Sequence, residues 1–79
     1  MVTGDDIKRR IGANLSESHV VFAEGDGHHF EVVVLCPAFE GKTPVMRHRL
    51  VYAALGDALL ADIHALSLKT YTPDEYKRG

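Results

Sequence analysis

The feature that most constrains the fold is a short turn between two strand-forming segments. HVVFAE (residues 19–24) and HFEVVVLC (residues 29–36) are rich in β-branched and aromatic side chains, which favour strands. The Gly-Asp-Gly sequence at residues 25–27 is a turn signal, so we expect the two strands to pair antiparallel. The near-continuous apolar run of the second segment indicates a central strand, and Pro37 ends it because proline cannot donate to a sheet.

Helical patterns flank this hairpin on both sides. A short amphipathic helix is predicted over residues 3–14, with Thr3 as its N-cap. Thr43 as N-cap and Pro44 at the first helical position are typical of a helix start, and the apolar spacing continues this second helix to residue 63. The positions expected to face the core in the second helix are Val51, Leu55, Ala58 and Leu59.

A third strand is predicted over residues 64–71, followed by a capping box at Thr72 and Glu75 that begins a terminal helix. The order α-β-β-α-β-α predicts an α+β fold in which helices cover a three-stranded mixed sheet. If the second and third strands are neighbours, the helical crossover makes them parallel. Parallel strands begin at the same edge of a sheet, so His28 and His29 should converge with His64.

Converging imidazoles are suitable metal ligands, but this chain offers an incomplete set. A closed tetrahedral site needs four ligands, and no third cysteine or carboxylate is placed to join. Cys36 should lie about 23 Å from His29 along the strand, and its expected role is that of a small buried hydrophobe. What remains is a half-site for a partner to complete, and iron–sulfur chemistry permits two histidines on one iron. The alternative is that these are solvent-exposed turn residues, with His64 hydrogen-bonded at a strand edge.

Three segments of the chain resemble the BolA family. FEGKTPVMRHRLVY (residues 39–52) is similar to the family's central signature, and IHALSLKTYTPDEY (residues 63–76) to its C-terminal signature. GDGHHFEVVVLCPAF (residues 25–39) resembles the family's hairpin and second strand. The resemblance implies a single BolA-like domain over residues 1–79, with an α-β-β-α-β fold akin to the class II KH domain. Tyr76 is a departure, because the family usually has tryptophan there.

The resemblance also implies a function. BolA-like proteins pair with monothiol glutaredoxins and share a [2Fe–2S] cluster with them, in iron–sulfur trafficking or iron-linked regulation. The glutaredoxin supplies a cysteine and glutathione a second thiolate. The BolA side supplies a C-terminal histidine, here His64, and a hairpin ligand that His29 matches best, with His28 as the alternative. We expect no cofactor in the isolated protein, which alone should be a monomer or a weak homodimer.

A group of basic residues surrounds the start of the second helix, namely Lys42, Arg47 and Arg49. Positive side chains are unfavourable beside the positive end of a helix dipole, but they make sense if an anion binds there. The candidates are a nucleic-acid phosphate, a glutathione carboxylate or an acidic patch on a partner. BolA-like proteins have been regarded as transcriptional regulators, so DNA binding is the alternative function. A solvated basic turn, balanced by nearby acidic residues, explains the same pattern.

Composition and charge limit the other classes of function. The net charge is −2, so nucleic-acid binding would need a local basic patch. One cysteine cannot form an internal disulfide, no apolar run is long enough for a membrane span, and the N-terminus has no hydrophobic signal core. We therefore expect a small soluble protein of the cytoplasm. No nucleophile–base–orienter arrangement is visible, so we do not expect an enzyme.

Overall fold

The computed structural model describes residues 1–78, and its elements follow the predicted order with two additions. The additions are a 3₁₀ turn after the second strand and a break in the second helix. The elements are α1 (Gly4–Asn14), β1 (His19–Gly25), β2 (His29–Leu35), the 3₁₀ turn (Pro37–Phe39), α2 (Pro44–Leu55), α3 (Asp57–Ala61), β3 (Ala65–Tyr71) and α4 (Pro73–Arg78).

The three strands form one mixed sheet in the order β1-β2-β3. β1 pairs antiparallel with β2, with an irregularity between Val20 and Phe22, and β2 pairs parallel with β3. His29 at the start of β2 lies opposite Ala65 at the start of β3. The predicted mixed sheet is confirmed, and the two parallel strands begin at one edge as expected.

The core lies between one face of the sheet and the helices. On the central strand β2, Phe30, Val32 and Val34 are buried, whereas the alternating Val33 and Leu35 are only half-buried. The other core residues include Ile7 and Ile11 of α1, Val51 and Leu55 of α2, and Cys36 and Phe39 between β2 and α2. The predicted role of Cys36 as a small buried hydrophobe is confirmed. The second face of the sheet stays partly open, as is common where a sheet contains antiparallel pairing.

Local capping chemistry fixes the helix starts that the sequence predicts. The Thr3 hydroxyl accepts from the backbone N–H of Asp6, whose carboxylate accepts from the N–H of Thr3. The Thr43 hydroxyl caps α2 by accepting from the N–H of Met46 at 3.3 Å. Each contact satisfies a backbone donor that the first helical turn leaves unpaired.

The second helix ends earlier than predicted, at Gly56. This residue has φ 86° and ψ 152°, a conformation that glycine adopts readily, and its N–H donates to the Tyr52 carbonyl at 3.0 Å. The prediction of one helix over residues 43–63 is therefore wrong. Ala58, expected in the core, is exposed, whereas Leu59, also expected there, is half-buried and packs against the core.

Within residues 1–78, none of the helices combines the length and the apolar character needed to cross a membrane.

Candidate metal site at the rim of the sheet

Backbone hydrogen bonds tie the hairpin to the start of β3. The carbonyl of His28 accepts from the N–H of His64 at 2.8 Å and from the N–H of Ala65 at 3.0 Å. These bonds extend the parallel pairing of β2 and β3 by one residue, so the two chain segments are held side by side. The parallel crossover predicted from the element order is the reason that they meet.

The imidazoles of His29 and His64 meet at this edge, and we call the pair the histidine rim. Their ring centroids are 5.2 Å apart, with an edge-to-face angle of 70°. Both residues are exposed, and the His29 side chain keeps 61% of its accessible surface. The predicted convergence of the hairpin with His64 is confirmed in the geometry, and the ring that packs against His64 is that of His29 rather than that of His28.

Asp26 also belongs to this site, although the sequence pattern predicts only a turn residue at this position. Its Oδ1 accepts from the backbone N–H of His28 at 2.9 Å and of His29 at 2.8 Å, while Oδ2 lies 3.3 Å from Nδ1 of His29. The two backbone donors, that of His29 first, lower the pKa of Asp26 well below its usual range. The spacing Asp-x-x-His after a glycine was the available signal, since aspartate in turns bonds backbone groups two or three residues on.

The histidine rim is a candidate pair of metal ligands. Within residues 1–78, no group of three or more histidine, cysteine, aspartate or glutamate residues is arranged to hold a metal ion. Two imidazoles on one tetrahedral ion, with metal–nitrogen bonds of about 2.0–2.1 Å, have centroids roughly 5 Å apart. The observed separation of 5.2 Å is therefore compatible with two ligands of one tetrahedral metal ion.

Cys36 does not belong to the histidine rim. It follows β2 at the opposite end from His29, is fully buried, and its Sγ lies 3.5 Å from the Ser16 carbonyl oxygen. The predicted exclusion of this thiol from the site agrees with its position.

The fold places the three basic residues near the start of α2 in different environments. Arg47 forms a bidentate ion pair with Glu75, at 2.7 and 3.0 Å, and its Nε donates to the Lys42 carbonyl at 2.9 Å. The Arg47 side chain is only 12% exposed, and its guanidinium lies 5.8 Å from the centroid of the Phe39 ring. The prediction that Arg47 binds an external anion is therefore corrected, because its donors serve the chain itself. Arg49 is exposed and Lys42 half-exposed, so these two keep the predicted position at the surface.

The Arg47–Glu75 pair predicts an acid-dependent change in stability. Arg47, followed by the Thr72 N–H, lowers the pKa of Glu75 from 4.5 to about 2. A carboxyl whose pKa falls on folding stabilises the protein above its unfolded pKa, and this contribution is lost as the pH drops to the folded value. We expect Glu75→Gln to lower the Tm by roughly 5 °C at neutral pH. The free energies of unfolding of variant and wild type, measured in urea, should then converge between pH values of about 4.5 and 2. A gap that stays constant across this interval would contradict the assignment.

The fold and the histidine rim define a class of small α+β proteins with a mixed three-stranded sheet and two histidines that meet at one edge. The family model described as BolA-like protein matches residues 12–75. The chain belongs to the BolA-like protein family, as the sequence signatures predicted.

Individual relatives agree with this assignment. A solved structure of a BolA protein homologue from Coxiella burnetii is 70% identical, with a TM-score of 0.90 over 99% of this chain and 100% of that chain. BolA-like protein 1 from Bos taurus is 44% identical over 66 residues, which cover 84% of this chain and 48% of the relative. The protein called DNA-binding transcriptional regulator BolA from Vibrio cholerae is 45% identical over 65 residues, covering 82% of this chain and 60% of the relative. The chain thus spans about half the length of the Bos taurus protein and less than two thirds of the Vibrio cholerae protein.

Proposed function

We propose that this protein is a non-enzymatic adaptor that binds a monothiol glutaredoxin and supplies His29 and His64 as ligands to a shared [2Fe–2S] cluster. The observation that carries the proposal is the 5.2 Å separation of two exposed imidazole rings at one edge of the sheet. The glutaredoxin supplies a cysteine and glutathione a second thiolate, so the four ligands are complete only in the complex.

The donor set supports this assignment. Two histidines replace two cysteines on one iron in known [2Fe–2S] centres, and neutral imidazole nitrogens are the atoms that bind. Exposure of both rings leaves room for the second protein to approach the same metal ions. Shallow depressions flank the histidine rim on both sides and give a partner further contact surface. One is lined in part by Phe22, Glu31 and Ser67 beside His29, and the other by Tyr52, Ile63 and Leu66 beside His64.

A titration followed by NMR tests the proposal. We expect ¹⁵N-labelled protein mixed with a cluster-loaded monothiol glutaredoxin and glutathione to show shifted or broadened amide signals at residues 28–29 and 64–65. The amide of His19 is an internal control, because it lies opposite Leu35 at the other end of the sheet. Signals of the histidine rim that stay unchanged at saturating partner would contradict the proposal.

Binding of nucleic acid is the second candidate function. The Vibrio cholerae relative is called a DNA-binding transcriptional regulator, and Lys42 and Arg49 lie at the surface near the start of α2. The engagement of Arg47 by Glu75 and the net charge of −2 weaken this candidate. The same titration with duplex DNA at low salt separates the two. A DNA site would shift amides around residues 42–49 with an affinity that falls steeply as salt rises, whereas glutaredoxin binding would shift the histidine rim.

A further inference from the structure

Asp26 makes two kinds of contact with the hairpin, and both oxygens of its carboxylate are used. Oδ1 accepts from the backbone donors of His28 and His29, which fixes the carboxylate against the turn. The turn itself depends on Gly27, whose φ of 99° is unfavourable for residues with a side chain. Oδ2 is thereby held 3.3 Å from Nδ1 of His29.

The direction of the contact between Asp26 and His29 follows from the charge on the carboxylate. Oδ1 accepts from two backbone N–H groups, and an aspartate carboxylate, which is ordinarily ionised at neutral pH, only accepts hydrogen bonds. The proton shared by Oδ2 and Nδ1 must therefore come from the imidazole. A neutral imidazole carries a single N–H, so a proton on Nδ1 leaves the lone pair on Nε2 free.

We propose that Asp26 is a positioning residue whose carboxylate holds His29 in the Nδ1–H tautomer and so presents Nε2 to an iron ion. Metal-ligating histidines commonly donate their other ring N–H to a carboxylate, which fixes both tautomer and ring orientation. The inference rests on the proposed function only for the nature of the metal centre. The tautomer of His29 is a property of the free protein.

Asp26 also distinguishes between two adjacent histidines. It contacts the backbone of both, but its side-chain contact is with the ring of His29. His29 is also the residue whose ring meets His64. The choice between His28 and His29, which strand alternation leaves open, is thus made by the carboxylate in favour of His29.

The test compares wild type with Asp26→Asn in the free protein. Asparagine retains an oxygen that accepts the two backbone N–H groups, but it places an NH₂ donor where Oδ2 faces the ring. Long-range ¹H–¹⁵N correlation spectra at about pH 8, where an unperturbed imidazole is neutral, report the tautomer of each histidine. We expect His29 to be Nδ1–H in the wild type and Nε2–H in Asp26→Asn, while His28 keeps the same tautomer in both proteins. A histidine released from a disordered turn would also favour Nε2–H, so unchanged backbone amide shifts at residues 25–29 in Asp26→Asn are the control that assigns the reversal to the carboxylate.

A second measurement connects the tautomer to the metal. In the cluster-bound complex with a glutaredoxin, Asp26→Asn should accelerate loss of the cluster by about 10- to 100-fold, the usual effect of removing an outer partner of a ligand. An Nε2–H His29 in the wild type, or the same tautomer in both proteins, would overturn the inference. If the tautomer reverses as expected but His29→Ala retains the cluster, control of the His29 tautomer by Asp26 is supported. The proposed ligation of the cluster by His29 is then wrong.

Discussion

Replacing His64 with alanine is expected to remove the visible absorption and circular dichroism of the cluster-bound complex with a monothiol glutaredoxin. Loss of outer-shell partners alone weakens metal sites by about 10- to 100-fold, so loss of a ligand should accelerate cluster release by more than about 100-fold. The backbone N–H of residue 64, which donates to the His28 carbonyl, remains in the variant. The fold should therefore survive, and the effect should be confined to the metal.

Three other histidine variants test whether the effect is specific to the two proposed ligands. His29→Ala should match His64→Ala, because the two rings form the histidine rim. His19→Ala is the matched control, since His19 is also exposed but lies at the opposite end of the sheet. His28→Ala should have little effect, because the contribution of residue 28 to the rim is its backbone carbonyl. A His64→Ala complex with the spectrum and the cluster lifetime of wild type would refute ligation by His64.

Replacing Phe39 with alanine is expected to remove a large part of the stability of the protein. Phe39 is fully buried in the 3₁₀ turn between β2 and α2. Truncation of a buried phenylalanine costs about 3–5 kcal/mol, whereas a domain of this size has a total stability of roughly 4–12 kcal/mol. The cavity would also lie beside the Arg47 guanidinium, which is 5.8 Å from the ring centroid. Equilibrium unfolding in urea measures the loss.

Phe22→Ala is the matched control for this prediction. Phe22 carries the same side chain but is 38% exposed on the open side of the sheet, so its truncation should cost only about 1 kcal/mol. Phe39→Leu should fall between the two, because leucine fills part of the same volume. Equal losses for Phe22→Ala and Phe39→Ala would show that Phe39 is not the central packing residue that its burial indicates.

Much of the fold could be predicted because its signals are local. The cap of α2 depends on Thr43 and Met46, and that of α4 on Thr72 and Glu75, pairs only three residues apart in the sequence. The order of elements then predicts the parallel pairing of β2 with β3, and this pairing alone predicts that the hairpin histidines, His28 and His29, meet His64. The break at Gly56 was missed because the apolar pattern on both sides of the glycine outweighed the signal from a single residue.

The site itself was only partly predictable. The sequence identified the histidines that converge, but it left the choice between His28 and His29 open, and it gave no role to Asp26 beyond the turn. Those details depend on where the turn places one carboxylate relative to one ring, at a scale of tenths of an ångström. The order of residue types in a sequence does not specify distances at this scale.

The sequence by itself determined the element order, the helix starts and the edge at which the two histidines meet, since these follow from capping chemistry, strand periodicity and crossover topology. Only the tertiary structure decided that Arg47 belongs to Glu75 rather than to an external anion. The two residues are 28 positions apart in the chain and meet because α4 folds back beside the start of α2. Once an arginine is largely buried, pairing with a carboxylate offsets its loss of hydration, and packing of the folded chain selects that partner.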